Sequence, residues 1–199
     1  VFTPLPRDFF LPSAEIVAPL LLGHYLLHRT PQGIIGGLIV ETEAYLYNDP
    51  ACHAAVKETA RNRSMFGDCG RSYVYLIYGM HYCFNAVCCE EGKPEAVLIR
   101  AIEPTFGQEI IQTNRPNSRP RDRTNGPAKL CDALRIDRSF DEVSLCDGAS
   151  SLFIAKNPEQ ETLLRTLHPV VQTTRIGITK AADWELRWYL GGSEFVSKR

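Results

Sequence analysis

The sequence predicts an α+β fold: a single mixed domain over residues 1–199, with a mainly antiparallel β-sheet, peripheral helices and a protruding β-hairpin. Three observations predict it. The chain has 199 residues, 44% hydrophobic and 23% charged, which is the size and composition of one ordinary globular domain. Apolar segments of strand length recur, separated by short Gly- and Pro-bearing turns. Thirteen Pro and fourteen Gly divide the chain into short elements rather than long helices. A chain of this length can bury a core without disulfides or metals.

The elements follow in order. Residues 12–22, PSAEIVAPLLL, read as a helix with Ser13 as N-cap and Gly23 as its end, although Pro19 lies inside the run. HYLLHRT (24–30) and GGLIVETEAY (36–45) read as two strands of a hairpin joined at PQG. Residues 46–70 are polar and irregular. Residues 72–78 and 81–89 read as a second pair of strands around Gly79, and EEGK (90–93) as the next turn. EAVLIRAIEP (95–104) is an apolar strand carrying Arg100, and a weaker helical signal covers 104–114. RPNSRPRDRTNG (115–126) holds two prolines and four arginines and reads either as a solvated linker or as a loop that contacts phosphates. PAKLCDALRI (127–136) is helical, with Pro127 at N1 and Leu130, Ala133 and Leu134 on one face. Short strands at 151–155, 175–178 and 187–190 alternate with loops. No internal repeat is present.

Composition narrows the function. The net charge of −1 carries no global signal of a protein that coats nucleic acid by charge alone, though it leaves room for a local basic face. The seven cysteines are odd in number, with an adjacent pair at 88 and 89, and read as reduced thiols of a cytoplasmic protein. The N-terminal residues show no charged-then-apolar targeting pattern. No apolar run approaches the roughly 20 residues needed to span a bilayer. His81, Cys83, Cys88 and Cys89 lie close together but form no C-x-x-C pair. Ala54 and Ala55 follow His53, so the H-x-E signature of the zinc deaminases is missing, and no Gly-rich phosphate loop is present. These patterns imply no metal and no cofactor.

Two patterns carry possible chemistry. In IVETEAY two acids, Glu41 and Glu43, stand two residues apart and point the same way in a regular strand. They read either as a solvent-facing strand end or as a carboxylate placed for general base work, and spacing does not choose between the two. In YVYLIYGMHYCFN (73–85), Tyr73 and Tyr75 share a face while Tyr78 falls beside Gly79 at the turn. A tyrosine there either caps a core edge or stands exposed as a wedge between stacked bases. Asn85 sits among apolar neighbours, where an amide must be hydrogen-bonded or lose stability. It is either a satisfied core group or one that reads a ligand edge.

Taken together, VETEAY (40–45), ACHA (51–54), RNRSMF (61–66), YVYLIYGMHYCFN (73–85), AVLIRAIEP (96–104), NGPAKLCDAL (125–134), RIGI and WYLGGSEFVS resemble, in that order, the alkyladenine (3-methyladenine) DNA glycosylase family. The resemblance covers nearly the whole chain. It implies an enzyme that flips a damaged purine nucleotide out of duplex DNA, working from the minor groove, and hydrolyses its N-glycosyl bond. By motif position, Glu43 matches the catalytic acid and Arg100 the arginine beside the attacking water. Tyr45, His53 and Tyr75 match the groups around the extruded base, and Asn85 the side chain that crowds the purine 2-position. Tyr78 matches the intercalating residue. Arg61, Arg63 and Arg71, with Arg119, Arg121 and Arg123 of the 115–123 loop, are the candidates for phosphate contacts. No lysine stands at a nucleophile position, so an abasic site without strand cleavage is implied. No membrane and no obligate protein partner is implied, and the expected place is the cytoplasm, at the nucleoid in a bacterium. A non-catalytic module that binds damaged DNA is the alternative, and a hydrolase of free nucleosides is a third reading that an exposed Tyr78 would disfavour.

Overall fold

The computed structural model describes residues 1–55, 57–166 and 168–198. In chain order these form α1 (Ala14–Leu21), β1 (Tyr25–Thr30), β2 (Gly33–Tyr45), β3 (Ser72–Ile77), β4 (His81–Cys88) and β5 (Glu95–Phe106), followed by α2 (Gln108–Asn114), α3 (Pro127–Leu134), β6 (Leu152–Ala155), α4 (Gln160–Thr166), β7 (Val170–Thr173) and β8 (Arg187–Leu190). The strands make one antiparallel sheet in the order β3-β4-β5-β2-β1-β6. β2 is long enough to pair with β1 through its first half and with β8 through Glu41–Glu43. Its other edge pairs with β5 along its length. The architecture is α+β, as the sequence predicts. Among the described residues no helix is long and apolar enough to cross a membrane.

Period-two alternation divides the sheet into two faces. On one face Val40, Val74, Phe84, Ala86, Val97 and Ile99 meet α1 and α3 through Val17, Leu21, Leu130 and Leu134, and all are fully buried. The opposite face carries a smaller apolar cluster built on Tyr73, Met65, Val87, Ala96 and Cys52. Along β5 the same alternation puts Leu98 and Arg100 on that second face while Val97 and Ile99 enter the core.

The strand expected at 175–178 is absent. Arg175 turns inward to Asp49 there, and the pairing moves upstream to β7, whose Val170 lies opposite Leu190. α4 stands where the sequence predicts a loop: QETLLRT has only the adjacent Leu163 and Leu164 as apolar residues, too few for a helical stripe, and has no fully buried residue. It follows Asn157, whose Oδ1 accepts the Glu159 N–H at 3.1 Å. The helix expected over 104–114 starts at Gln108, because β5 continues to Phe106 and Gly107 breaks the direction with φ 62°. β2 begins at Gly33 rather than Gly36. In the arginine-rich loop, Pro120–Asp122 forms a short 3-10 turn, and Thr124 donates to the Ile102 carbonyl at 2.6 Å.

One glycine pair is dictated by close approach. A Cβ on Gly37 would lie 1.8 Å from the Glu103 carbonyl oxygen, and one on Gly36 would lie 2.0 Å from that of Leu26. β2 shifts register against β5 between these two residues, a bulge that only glycine fits.

Candidate active site

A cavity of about 450 Å³ opens on the second face of the sheet. Tyr45, His53, Tyr73, Tyr75, Asn85 and Arg100 line it, with Tyr78 and His81 at the hairpin side. Ile176–Ile178 and the first turn of α3, from Gly126 to Lys129, complete the wall.

Glu41 and Glu43 are both fully buried, so the solvent-facing reading of this strand end does not hold. A buried carboxylate is costly unless charges and donors meet it, and the two acids are met differently. Glu41 is saturated. Its Oε1 accepts from Arg187 at 2.8 Å, the Ser197 hydroxyl at 2.9 Å and Arg100 Nε at 3.3 Å, and its Oε2 accepts from the Ser197 N–H at 2.7 Å. Glu43 stands directly behind the cavity wall. Its Oε1 accepts the Ile176 N–H at 2.8 Å and lies 3.2 Å from Arg100 Nη1, while its Oε2 accepts the Tyr45 hydroxyl at 2.9 Å. All three of those groups belong to residues that line the cavity. Burial works against the Arg100 charge, but Glu43 and Glu41 outweigh it and hold the guanidinium above its ordinary pKa.

The rings are kept neutral. Burial, reinforced by Glu43, pushes the Tyr45 phenol well up, and burial does the same to Tyr75. Burial and then Arg61 lower the His53 pKa, and its Nδ1 sits 3.0 Å from the Tyr73 hydroxyl. Tyr73 and Tyr75 stack with centroids 5.3 Å apart, and His53 meets Tyr75 edge-on at 4.5 Å. Asn85 is buried, and its amide nitrogen donates to the Tyr73 carbonyl at 3.0 Å across the β3–β4 pair. Its position in the wall leaves both readings of this amide in force.

The hairpin tip is built to expose a ring. The Met80 N–H closes a turn on the Ile77 carbonyl at 3.3 Å, with φ 53° at Tyr78 and 71° at Gly79. Two successive positive φ values are the mark of the primed turns that match strand twist. Glycine reaches that conformation freely, whereas a tyrosine is rare there. Tyr78 is 84% exposed, which removes the core-edge reading.

The family model described as Methylpurine-DNA glycosylase (MPG) matches residues 8–194. The chain belongs to the methylpurine-DNA glycosylase family. It is 47% identical over 182 residues to a protein of Francisella tularensis strain SCHU S4 named "Putative 3-methyladenine DNA glycosylase", covering 92% of each chain. Proteins of the same name from Methanoculleus marisnigri and Carboxydothermus hydrogenoformans are each 46% identical and cover 98% of this chain and 99% of their own.

On this methylpurine-DNA glycosylase scaffold the arginines expected at phosphates are scattered. Arg61 reaches the hairpin, donating to the Leu76 carbonyl at 3.2 Å with its guanidinium 5.4 Å from the Tyr75 ring centroid. Arg63 pairs with Glu58 at 3.3 Å and Arg119 with Asp122 at 3.0 Å. Arg71 donates to the Glu142 carbonyl at 2.8 Å, at the opposite end of β3 from Tyr78. Arg121 is exposed, and Arg123 is half-buried with its Nε unpartnered among the described residues. Arg119, Arg121 and Arg123 lie outside the cavity wall.

Several groups in the site escaped sequence reasoning. The Ile176 N–H on Glu43 is a backbone donor and leaves no residue signature; only the RIGI match pointed to its segment. Arg187 and Ser197 lie in WYLGGSEFVS or directly before it, and their partner Glu41 is visible only once β8 has paired with β2. Among the described residues no cluster of three or more His, Cys, Asp or Glu is placed to hold a metal ion.

Proposed function

We propose that this DNA glycosylase flips an alkylated or deaminated purine (3-methyladenine, hypoxanthine or ethenoadenine class) out of duplex DNA and excises it by attack of water at C1′. One observation carries the reading: a fully buried carboxylate, Glu43, is fixed by a backbone N–H, a phenol and a guanidinium immediately behind a ring-lined cavity. Glu43 orients the water and takes its proton as the water oxygen bonds to C1′. The N-glycosyl bond breaks, and the base leaves with the electron pair. The carboxylate also stabilises the positive charge that develops on the sugar. Arg100 sits on the wall beside it, placed for the water and the phosphate of the flipped nucleotide. Tyr45, Tyr75 and His53 grip the base, and a cationic lesion gains most from the ring faces. Asn85, pinned to Tyr73, crowds the purine 2-position and disfavours guanine. Tyr78 enters the stack from the minor groove and fills the vacated space.

The test is base release from duplexes carrying hypoxanthine, ethenoadenine or methylated purines, run in EDTA. Release that leaves an intact strand with an abasic site is expected. Specific binding of the lesion duplex with no release would favour a damage-binding module instead. Tyr78→Ala is expected to weaken lesion-duplex binding by about 1–3 kcal/mol, the usual worth of one ring–base stack, or roughly 5–150-fold. Titration of wild type and variant against one fluorescent lesion duplex checks this, and unchanged affinity would show that Tyr78 is no wedge.

A further inference from the structure

We propose that the buried Asp49–Arg175 pair is a positioning device that sets both the carboxylate and the stacking ring; the inference rests on the function proposed above. Both side chains are completely inaccessible, and 126 residues separate them in the chain. They form a fork: Arg175 Nη2 donates to Asp49 Oδ1 at 3.0 Å while Nη1 donates to Oδ2. From this anchor the guanidinium touches the site in two places. Nη1 also donates to the Ala44 carbonyl at 3.0 Å, in the backbone between Glu43 and Tyr45. The guanidinium carbon lies 4.8 Å from the Tyr45 ring centroid. The next residue along the chain is Ile176, whose N–H holds Glu43. Asp49 extends the arrangement on its own side, since its Oδ1 accepts the Ala51 N–H at 2.9 Å and its carbonyl accepts the Cys52 N–H at 2.9 Å, in the turn that leads to His53.

Stability alone does not account for this pair. Replacing a buried ion pair by apolar groups of similar volume is often neutral or stabilising. Here the arrangement also leaves Arg175 Nε buried without a hydrogen-bond partner among the described residues. What the pair supplies is geometry: the loop from β7 to β8 cannot shift against the segment that follows β2 without breaking the fork, nor against β2 itself without losing the bond to the Ala44 carbonyl.

The deciding variant is Asp49→Leu/Arg175→Met, which trades charge for packing, with Asp49→Asn as a milder companion should the double variant not fold. Two quantities are measured at a temperature below melting: the single-turnover rate of hypoxanthine release at saturating enzyme, and affinity for a duplex carrying an abasic site, which offers no base to the cavity. The expected result is a rate lower by on the order of 10–100-fold, the scale of small misplacements of reacting groups, with abasic-duplex affinity within about twofold of wild type. An undiminished rate overturns the assignment. So does an equal loss of rate and abasic-duplex affinity, which marks general damage to the fold. Wild-type protein that releases no base overturns the proposed function itself, and this assignment with it.

Discussion

Base release by Glu43→Gln is expected to run about 10²–10⁴-fold slower than wild type, the usual contribution of a positioned general base. The substitution is close to isosteric, so the effect isolates chemistry. A glutamine oxygen still accepts the Ile176 N–H, and the Tyr45 hydroxyl can rotate to accept from the new amide. Arg100 keeps its second partner, Glu41. Lesion-duplex binding should therefore survive while turnover collapses, and single-turnover kinetics beside equilibrium binding will show the split. A variant that releases base at the wild-type rate would remove Glu43 from the chemistry. Glu41 could not easily replace it, because both of its oxygens are already occupied by Arg100, Arg187 and Ser197.

That saturation makes Glu41 the site of the largest expected loss of stability. Glu41→Ala leaves Arg187, among the described residues, with the Thr174 and Lys198 carbonyls and the Tyr189 ring as partners, and strips Arg100 of one of its two acids; the Glu41, Arg100 and Arg187 side chains are all buried. Breaking a buried ionic network by removing one partner costs about 3–5 kcal/mol. For a chain of this size that lowers the melting temperature by on the order of 10 °C. Glu41→Gln, which retains an acceptor oxygen, should lose less. Thermal unfolding followed by circular dichroism checks both, and a melting temperature unmoved in Glu41→Ala would mean that the two guanidinium groups find other partners.

Much of this architecture was legible in the residues. The hairpin around Gly79, the apolar strand bearing Arg100 and the helix opened by Pro127 all follow local rules of turn chemistry and periodicity, and local rules are what a single sequence states most clearly. The same rules placed Tyr78 at the turn but left it open whether the ring caps a core edge or stands exposed, and the exposure of the tip decides it. The choice between Glu41 and Glu43 was not legible in strand spacing, and only the motif resemblance pointed to Glu43. In a regular strand both face one side, and the difference lies in what comes to meet them: β8 and Ser197 bring donors to one, while the loop at Ile176 brings a single N–H to the other. These partners are remote in sequence. For the same reason RIGI read as a strand: its arginine is consumed by an aspartate 126 residues away, a contact that no local pattern announces.

The closure of Ser197 onto Glu41 spans 156 residues. Contacts that distant carry a high loop-closure cost and tend to form late in folding. A nascent chain emerging from the ribosome can pair β2 with β5 long before it has delivered Arg187 or Ser197. Until then Glu41 has Arg100 alone, and the strand that bears both acids has an open edge where β8 will lie. The surroundings of Glu41 are thus completed by a segment synthesised long after the hairpin, so a truncated translation product that retains the whole hairpin but ends before β8 would still lack a finished candidate site.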